Sequence, residues 1–231
     1  MSKIQFLYKS SATLNLILIF LISKFKDFFV KRKIINLKKN HQNSIKNKKI
    51  TYDYFSSHAY NFYFYLKNLD PYFEYLEVGS YEGNSAIFIA NNFDKANIYC
   101  VDSWKKTNEY KHQNNFSDVE KNFDENTFNY KNINKIKMNS NDFFLNNKKK
   151  FDVIYIDGYH HASQVYEDCN NAWRNLKENG YLICDDYIWN FYENIRENPC
   201  YAINKFLREI NGYFKVEKIS NSQIFLKKIG S

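Results

Sequence analysis

The chain has 231 residues, 44% of them apolar and 19% aromatic, enough to enclose one α/β core with an appendage and too apolar for a disordered chain. The formal net charge is +8, yet it is unevenly placed: residues 1–50 carry twelve Lys and Arg against one acid, Asp27, while residues 51–231 carry three more acids than bases. A nucleic-acid footprint belongs on the folded part, so this distribution argues against a nucleic-acid partner. Phe, Tyr, Asn, Lys and Ile are all abundant, as AT-rich codons would make them, so aromatic and lysine runs carry little weight alone. The four cysteines, Cys100, Cys169, Cys184 and Cys200, form no C-x-x-C pair and no zinc spacing. They read as reduced thiols of a cytoplasmic protein.

Residues 12–25, ATLNLILIFLISKF, hold an unbroken apolar stretch over 16–22 with basic residues on both sides. A spanning helix needs roughly 20 apolar residues, and no small-residue cleavage site follows. Two readings stand for residues 12–33. One is an interfacial helix in peripheral membrane contact, anchored by Lys24, Lys26, Lys31, Arg32 and Lys33. The other is a helix packed on the domain or on a second subunit of a homo-oligomer. Residues 36–50 are polar with weak periodicity and read as a linker. The expected division is therefore an arm and linker over 1–50 and one domain over 51–231.

From residue 51 strands and helices alternate. Strands are expected at 73–78, 97–102, 132–138, 151–157 and 181–186, with a closing hairpin of 213–219 and 223–228 around Asn221-Ser222. Helices are expected at 84–93, near 119–123, at 162–180 with Gly180 as its stop, and at 202–210. The alternation predicts an α/β fold: a doubly wound, mostly parallel seven-stranded sheet with an antiparallel final strand and a helical N-terminal arm.

In such sheets ligands bind outside the carboxyl ends of the strands. The first such end is YLEVGSYEGNSA, residues 75–86. Glu77 closes the strand, and Gly79 and Gly83 let a ligand approach the backbone. Asn84 and Ser85 open a helix whose free N–H groups suit an anion. The Gly-Lys-Ser/Thr of a phosphate loop and the three glycines of a dinucleotide fingerprint are both missing. This turn suits a ligand carrying a carboxylate and an amine. Asp102 ends the second strand, where a carboxylate can accept from both hydroxyls of a ribose. Each signal alone is equally a tight turn or a helix cap.

A second group lies further on. Asp157 ends the fourth strand and Asp185 and Asp186 the fifth, so three carboxylates are expected at neighbouring strand ends. Unpaired, they would raise one another's pKa; a divalent cation such as Mg²⁺ removes the conflict. The other reading makes Asp157 or Asp186 a cap. His160, three residues past Asp157, has an unperturbed pKa of about 6.5 that suits a general base. Spacing does not separate it from His161.

The run E-V-G-S-Y-E-G-N-S, then V-D-S-W, Y-I-D-G-Y-H and I-C-D-D-Y, resembles class I S-adenosylmethionine-dependent methyltransferases. More narrowly it resembles the methyltransferase 24 type, and is similar to metal-dependent sugar and catechol O-methyltransferases. The resemblance covers about residues 55–228. It implies S-adenosylmethionine as cofactor, with Glu77, Gly79, Tyr81, Gly83 and Ser85 at its methionine end, Asp102 on the ribose with Ser103 and Trp104 nearby, and Ser140 and Asn141 near the adenine. It implies Asp157, Asp185 and Asp186 as metal ligands, with Asp157 also catalytic, and His160 as the base. The fifth-strand pair departs from the pattern: it is Asp-Asp, where the catechol enzymes carry Asp-Asn and the sugar enzymes Glu-Asp. The expected activity is metal-assisted O-methylation of a sugar or another small polyhydroxylated metabolite. The alternatives are a metal-free methyltransferase of the same fold, or a membrane-associated cofactor-binding protein without turnover.

Overall fold

The structure is a computed structural model that describes residues 1–107, 109 and 116–230. The chain divides into two compact units, one of Asp27–Asn139 and one of Met1–Lys26 with Ser140–Ser231. The helices in chain order are α1 (Lys3–Lys9), α2 (Leu14–Ser44), α3 (Ala59–Leu66), α4 (Asn84–Asn92), α5 (Val119–Thr127), α6 (Ser140–Asn146), α7 (Ala162–Asn175) and α8 (Pro199–Glu209).

In the unit Asp27–Asn139, β1 (Glu74–Val78), β2 (Asn97–Asp102) and β3 (Ile133–Lys137) run parallel, with Leu76 opposite Tyr99 and Val101 opposite Ile136. In the other unit β4 (Phe151–Ile156) and β5 (Leu176–Cys184) run parallel, and β7 (Ile224–Lys228) joins β5 antiparallel and pairs in turn with β6 (Phe214–Ile219). The strand order is β3-β2-β1-β4-β5-β7-β6, the mostly parallel, doubly wound sheet with an antiparallel final strand that the sequence predicts. Tyr75, Leu76 and Val78 in β1 and Val153, Ile154, Tyr155 and Ile156 in β4 are buried without alternation. Continuous burial of this kind belongs to parallel strands covered on both faces.

Two elements differ from expectation. The helix over 162–180 stops at Asn175, and Gly180 is not its cap. Leu176 already pairs with Phe151, the next register pair is Tyr181 with Val153, and the residues between bulge. Asn179 takes a left-handed φ of 62°, and a Cβ on Gly180 would lie 2.7 Å from the Asp152 carbonyl oxygen. The glycine is there to let two strand backbones close up. The linker over 36–50 is also helical as far as Ser44. No Gly or Pro interrupts residues 1–70, and packing supplies what periodicity lacks. His41 Nε2 lies 2.8 Å from Asn84 Oδ1, and its ring meets Phe55 and Phe88 edge to face.

Candidate functional site

The candidate residues fall into two groups, one in each unit. In the unit Asp27–Asn139, Gly79 and Gly83 have φ of 87° and 82°, which permits the tight turn from β1 into α4. A Cβ on Gly83 would lie 3.0 Å from Thr127 Cγ2 and 3.1 Å from Phe123 Cδ2. Tyr81 and Trp104 are also left-handed, each with φ of 47°. Strained non-glycine residues of this kind cluster where a ligand or a mechanism demands them.

Asp102 holds this loop. Its Oδ2 accepts the backbone N–H of Ser80 and of Tyr81 at 3.0 Å each, and its Oδ1 accepts the N–H of Trp104 at 2.7 Å. A carboxylate has about four acceptor positions, so one remains beyond these three. Burial raises the Asp102 pKa, opposed by those three backbone hydrogen bonds. Trp104 returns the tie: its Nε1–H donates to the Tyr81 carbonyl at 2.9 Å, and its ring packs on Phe123 at 4.9 Å. Ser103 stands half-buried between them.

Glu77 is buried at the end of β1 and accepts from the Tyr75 hydroxyl at 3.1 Å. Burial pushes its pKa up to about 7, against hydrogen bonds from Ser85, Ser80 and Tyr75 that pull it down. A buried acid this close to neutrality favours a cationic ligand group, which would restore its charge.

The second group lies in the other unit, at the ends of β4 and β5. Asp157, His160 and Asp186 offer ligand atoms that all lie within 4.8 Å of one another. His160 Nε2 is 2.8 Å from Asp186 Oδ2 and 3.6 Å from Asp157 Oδ1. Burial pushes the Asp157 pKa up to about 8, with the Asp185 and Asp186 charges adding to the rise and the His160 hydrogen bond opposing it. Asp186 reaches the group through a left-handed backbone, φ 53°.

Asp185 is placed differently from its neighbour. Its Oδ2 accepts from the Tyr155 hydroxyl and from Gln223 Nε2 at 2.9 Å, and its Oδ1 accepts the Asp186 N–H at 2.7 Å. The ligand atoms that come within 4.8 Å of one another belong to Asp157, His160 and Asp186, and Asp185 stands beside them, sharing the Tyr155 hydroxyl with Asp157. The carboxylate oxygens of Asp157 and Asp186 suit a hard divalent cation, with the His160 imidazole beside them.

Ser140 and Asn141 open α6 and face α7. Gln164 Nε2 donates to Ser140 Oγ at 3.2 Å and to Asn141 Oδ1 at 3.0 Å, and Asn141 Nδ2 donates to Glu167 Oε2 at 3.0 Å. His161 caps α7, its Nδ1 accepting the Ser163 N–H at 3.4 Å.

Sequence reasoning missed Tyr155 and Gln223. Tyr155 was findable: two residues before Asp157 on a strand, it shares that residue's face, and its hydroxyl lies 2.9 Å from Asp157 Oδ2. Gln223 was not, because only the antiparallel register that pairs Cys184 with Ile224 brings it beside Asp185. Trp189 sits 4.9 Å from the His160 ring and stacks on Phe191 at 4.8 Å and 8°. Those rings form an aromatic wall beside the acids. The polar loops 105–130 and 187–200 are the ones the sequence suggests for an acceptor pocket, the second with Trp189 and Tyr192 to pack on a sugar ring; residues 108 and 110–115 of the first lie outside the described residues.

Residues 76–187 match a family described as a methyltransferase domain, methyltransferase 24. No curated protein matches the chain. Among solved structures, a candidate O-methyltransferase from Klebsiella pneumoniae is similar with a TM-score of 0.57 at 10% identity, covering 92% of this chain and 98% of that one. A candidate caffeoyl-CoA O-methyltransferase from Staphylococcus aureus has a TM-score of 0.55 at 15% identity, covering 90% and 99%. The MycE methyltransferase of the mycinamycin biosynthetic pathway, in complex with Mg and SAH, has a TM-score of 0.59 at 13% identity, covering 84% of this chain and 54% of that one. At these identities the structures speak for the fold.

Proposed function

We propose, for a chain whose residues 76–187 match the methyltransferase 24 family, that it moves a methyl group from S-adenosylmethionine to a hydroxyl of a sugar or another small polyhydroxylated metabolite, assisted by a divalent cation. The family match carries S-adenosylmethionine-dependent methyl transfer. The convergence of Asp157, His160 and Asp186 carries the finer reading. When bound, the cofactor supplies a methyl group on a sulfonium, and the cation lowers the pKa of the acceptor hydroxyl.

The chain's own residues do the rest. Glu77 and the Gly79–Gly83 turn hold the amino-acid end of the cofactor, and Asp102 fixes the loop that carries Tyr81 and Trp104. Asp157 and Asp186 hold the cation. His160, oriented by Asp186, takes the proton of the acceptor hydroxyl as its oxygen bonds to the methyl carbon and the carbon–sulfur bond breaks. The Trp189 and Phe191 rings offer a flat apolar surface to a sugar ring. A cytoplasmic setting accords with four free cysteines. The Mg in the MycE complex supports the same choice of cation by analogy.

A second reading rests on the 2.8 Å contact of His160 with Asp186. A carboxylate–imidazole pair is a competent base without a metal, which gives a metal-free O-methyltransferase. Methyl transfer from labelled S-adenosylmethionine to a panel of sugars and catechols, with EDTA and with added Mg²⁺, decides between them. The metal-assisted reading expects activity lost to EDTA and restored by Mg²⁺. Activity indifferent to EDTA leaves the metal-free reading. Binding of S-adenosylhomocysteine with no transfer to any acceptor leaves a binding protein without turnover.

A further inference from the structure

We propose that the outward face of α2 docks this protein on an anionic lipid surface. Leu14, Leu18, Leu21, Phe25, Phe28 and Phe29 recur at steps of three and four and form one stripe along the helix. They are 45% to 81% exposed. A stripe of large apolar side chains open to water marks an interaction surface.

The opposite face is already engaged. Leu16 and Phe20 are buried, and Ser23 Oγ accepts the N–H of Ile219 at 3.3 Å. The helix is thus apolar on two sides and the chain covers one of them. This is why the stripe is hard to see as an amphipathic pattern in the sequence.

Charge identifies what covers the other side. At 3.6 residues per turn, Lys31 borders the stripe on one side and Lys26 and Lys33 on the other, with Arg32 in line with it, while the Lys24 ammonium is held by Asn221. Asp27 is the only acid in α2 and points away from the stripe. A second copy seated on this face would set lysine borders against lysine borders with no acid between them. Lipid headgroups supply the opposite charge, and lysine stems can lie along the acyl boundary with their ammonium groups at headgroup level. Among the described residues no helix is long and apolar enough to cross a membrane, so α2 lies along the surface.

The test is flotation of the full chain with phosphatidylcholine vesicles made with and without phosphatidylglycerol. Wild type is expected to float with the phosphatidylglycerol vesicles and much less without that lipid, and to be released by salt. Lys26→Gln and Lys33→Gln should each lower the partition coefficient about fivefold. The double variant Leu21→Glu/Phe28→Glu should abolish flotation while keeping the wild-type circular dichroism and melting curve, because both side chains are exposed. Should that variant melt early, the lysine variants still decide. No flotation with anionic vesicles, or partition indifferent to phosphatidylglycerol, overturns the proposal. So does a concentration-dependent dimer in sedimentation that the double variant dissolves while vesicles are ignored.

Discussion

Glu77 and Asp102 close neighbouring strands, yet their surroundings give them different tasks. Burial raises the Glu77 pKa to about 7, so in the free protein its protonated form competes with the carboxylate near neutral pH. An ammonium group on a ligand beside it would favour the carboxylate, and binding would then release a proton. Affinity for S-adenosylhomocysteine should therefore rise as pH increases toward about 7 and level off above it. Calorimetry across pH 5.5–8.5, a window set around that pKa of about 7, checks this, and Glu77→Gln should flatten the profile. Asp102 spends its carboxylate on three backbone N–H groups. Asp102→Ala leaves those donors without their acceptor, at a cost of about 1–3 kcal/mol for each one that stays buried. It should lower both the melting temperature and cofactor affinity. Asp157→Ala should do the reverse, abolishing methyl transfer while leaving S-adenosylhomocysteine binding nearly intact. Its contacts are with His160 and the Tyr155 hydroxyl, both in its own unit.

At the level of elements, the junction of α7 with β5 shows how a local signal misleads. Gly180 follows a helical pattern and has the look of a C-terminal stop, yet α7 ends five residues earlier at Asn175. Burial of Leu176 against β4 wins over continued helix, since a large apolar side chain contributes about 1.5–3 kcal/mol on burial. Gly180→Ala would place a methyl 2.7 Å from a backbone oxygen that has no freedom to retreat. The expected cost is about 1–3 kcal/mol, read as a lower denaturation midpoint with an unchanged slope. The hairpin of β6 and β7 works the other way. Its turn was legible in Asn221-Ser222, but the register that hands Gln223 to Asp185 was not.

For the whole molecule, the N-terminal fifty residues are part of the fold. Phe6, Leu7, Leu16 and Phe20 are buried, and Asn204 Nδ2 in α8 donates to the Ser10 carbonyl at 2.9 Å. In the unit Asp27–Asn139, buried His41 meets Asn84 at the start of α4. Four large apolar side chains contribute on the order of 6–12 kcal/mol, comparable to the whole stability of a domain. A chain starting at residue 51 should therefore be insoluble or molten by near-ultraviolet circular dichroism. Its failure would not come from the charge it sheds.

The sequence by itself determined the strands, their alternation with helices, the parallel sheet with its antiparallel last strand, and the type of glycine turn after β1. These follow from local quantities: runs of buried β-branched and aromatic residues, turn residues between them, and acids at strand ends. It also put forward Asp157, Asp185 and Asp186 as candidates at neighbouring strand ends, with His160 chosen over His161 by resemblance alone, and did not separate Asp186 from Asp185. Only the tertiary structure decided that one aspartate of that pair turns toward His160 while the other is held by Tyr155 and Gln223. The reason is that adjacent residues at a strand end point to different sides, and the choice of side is made by partners far away in the chain. The same holds for α2, where helix periodicity is erased because both faces are apolar and only packing reveals which one the protein keeps for itself.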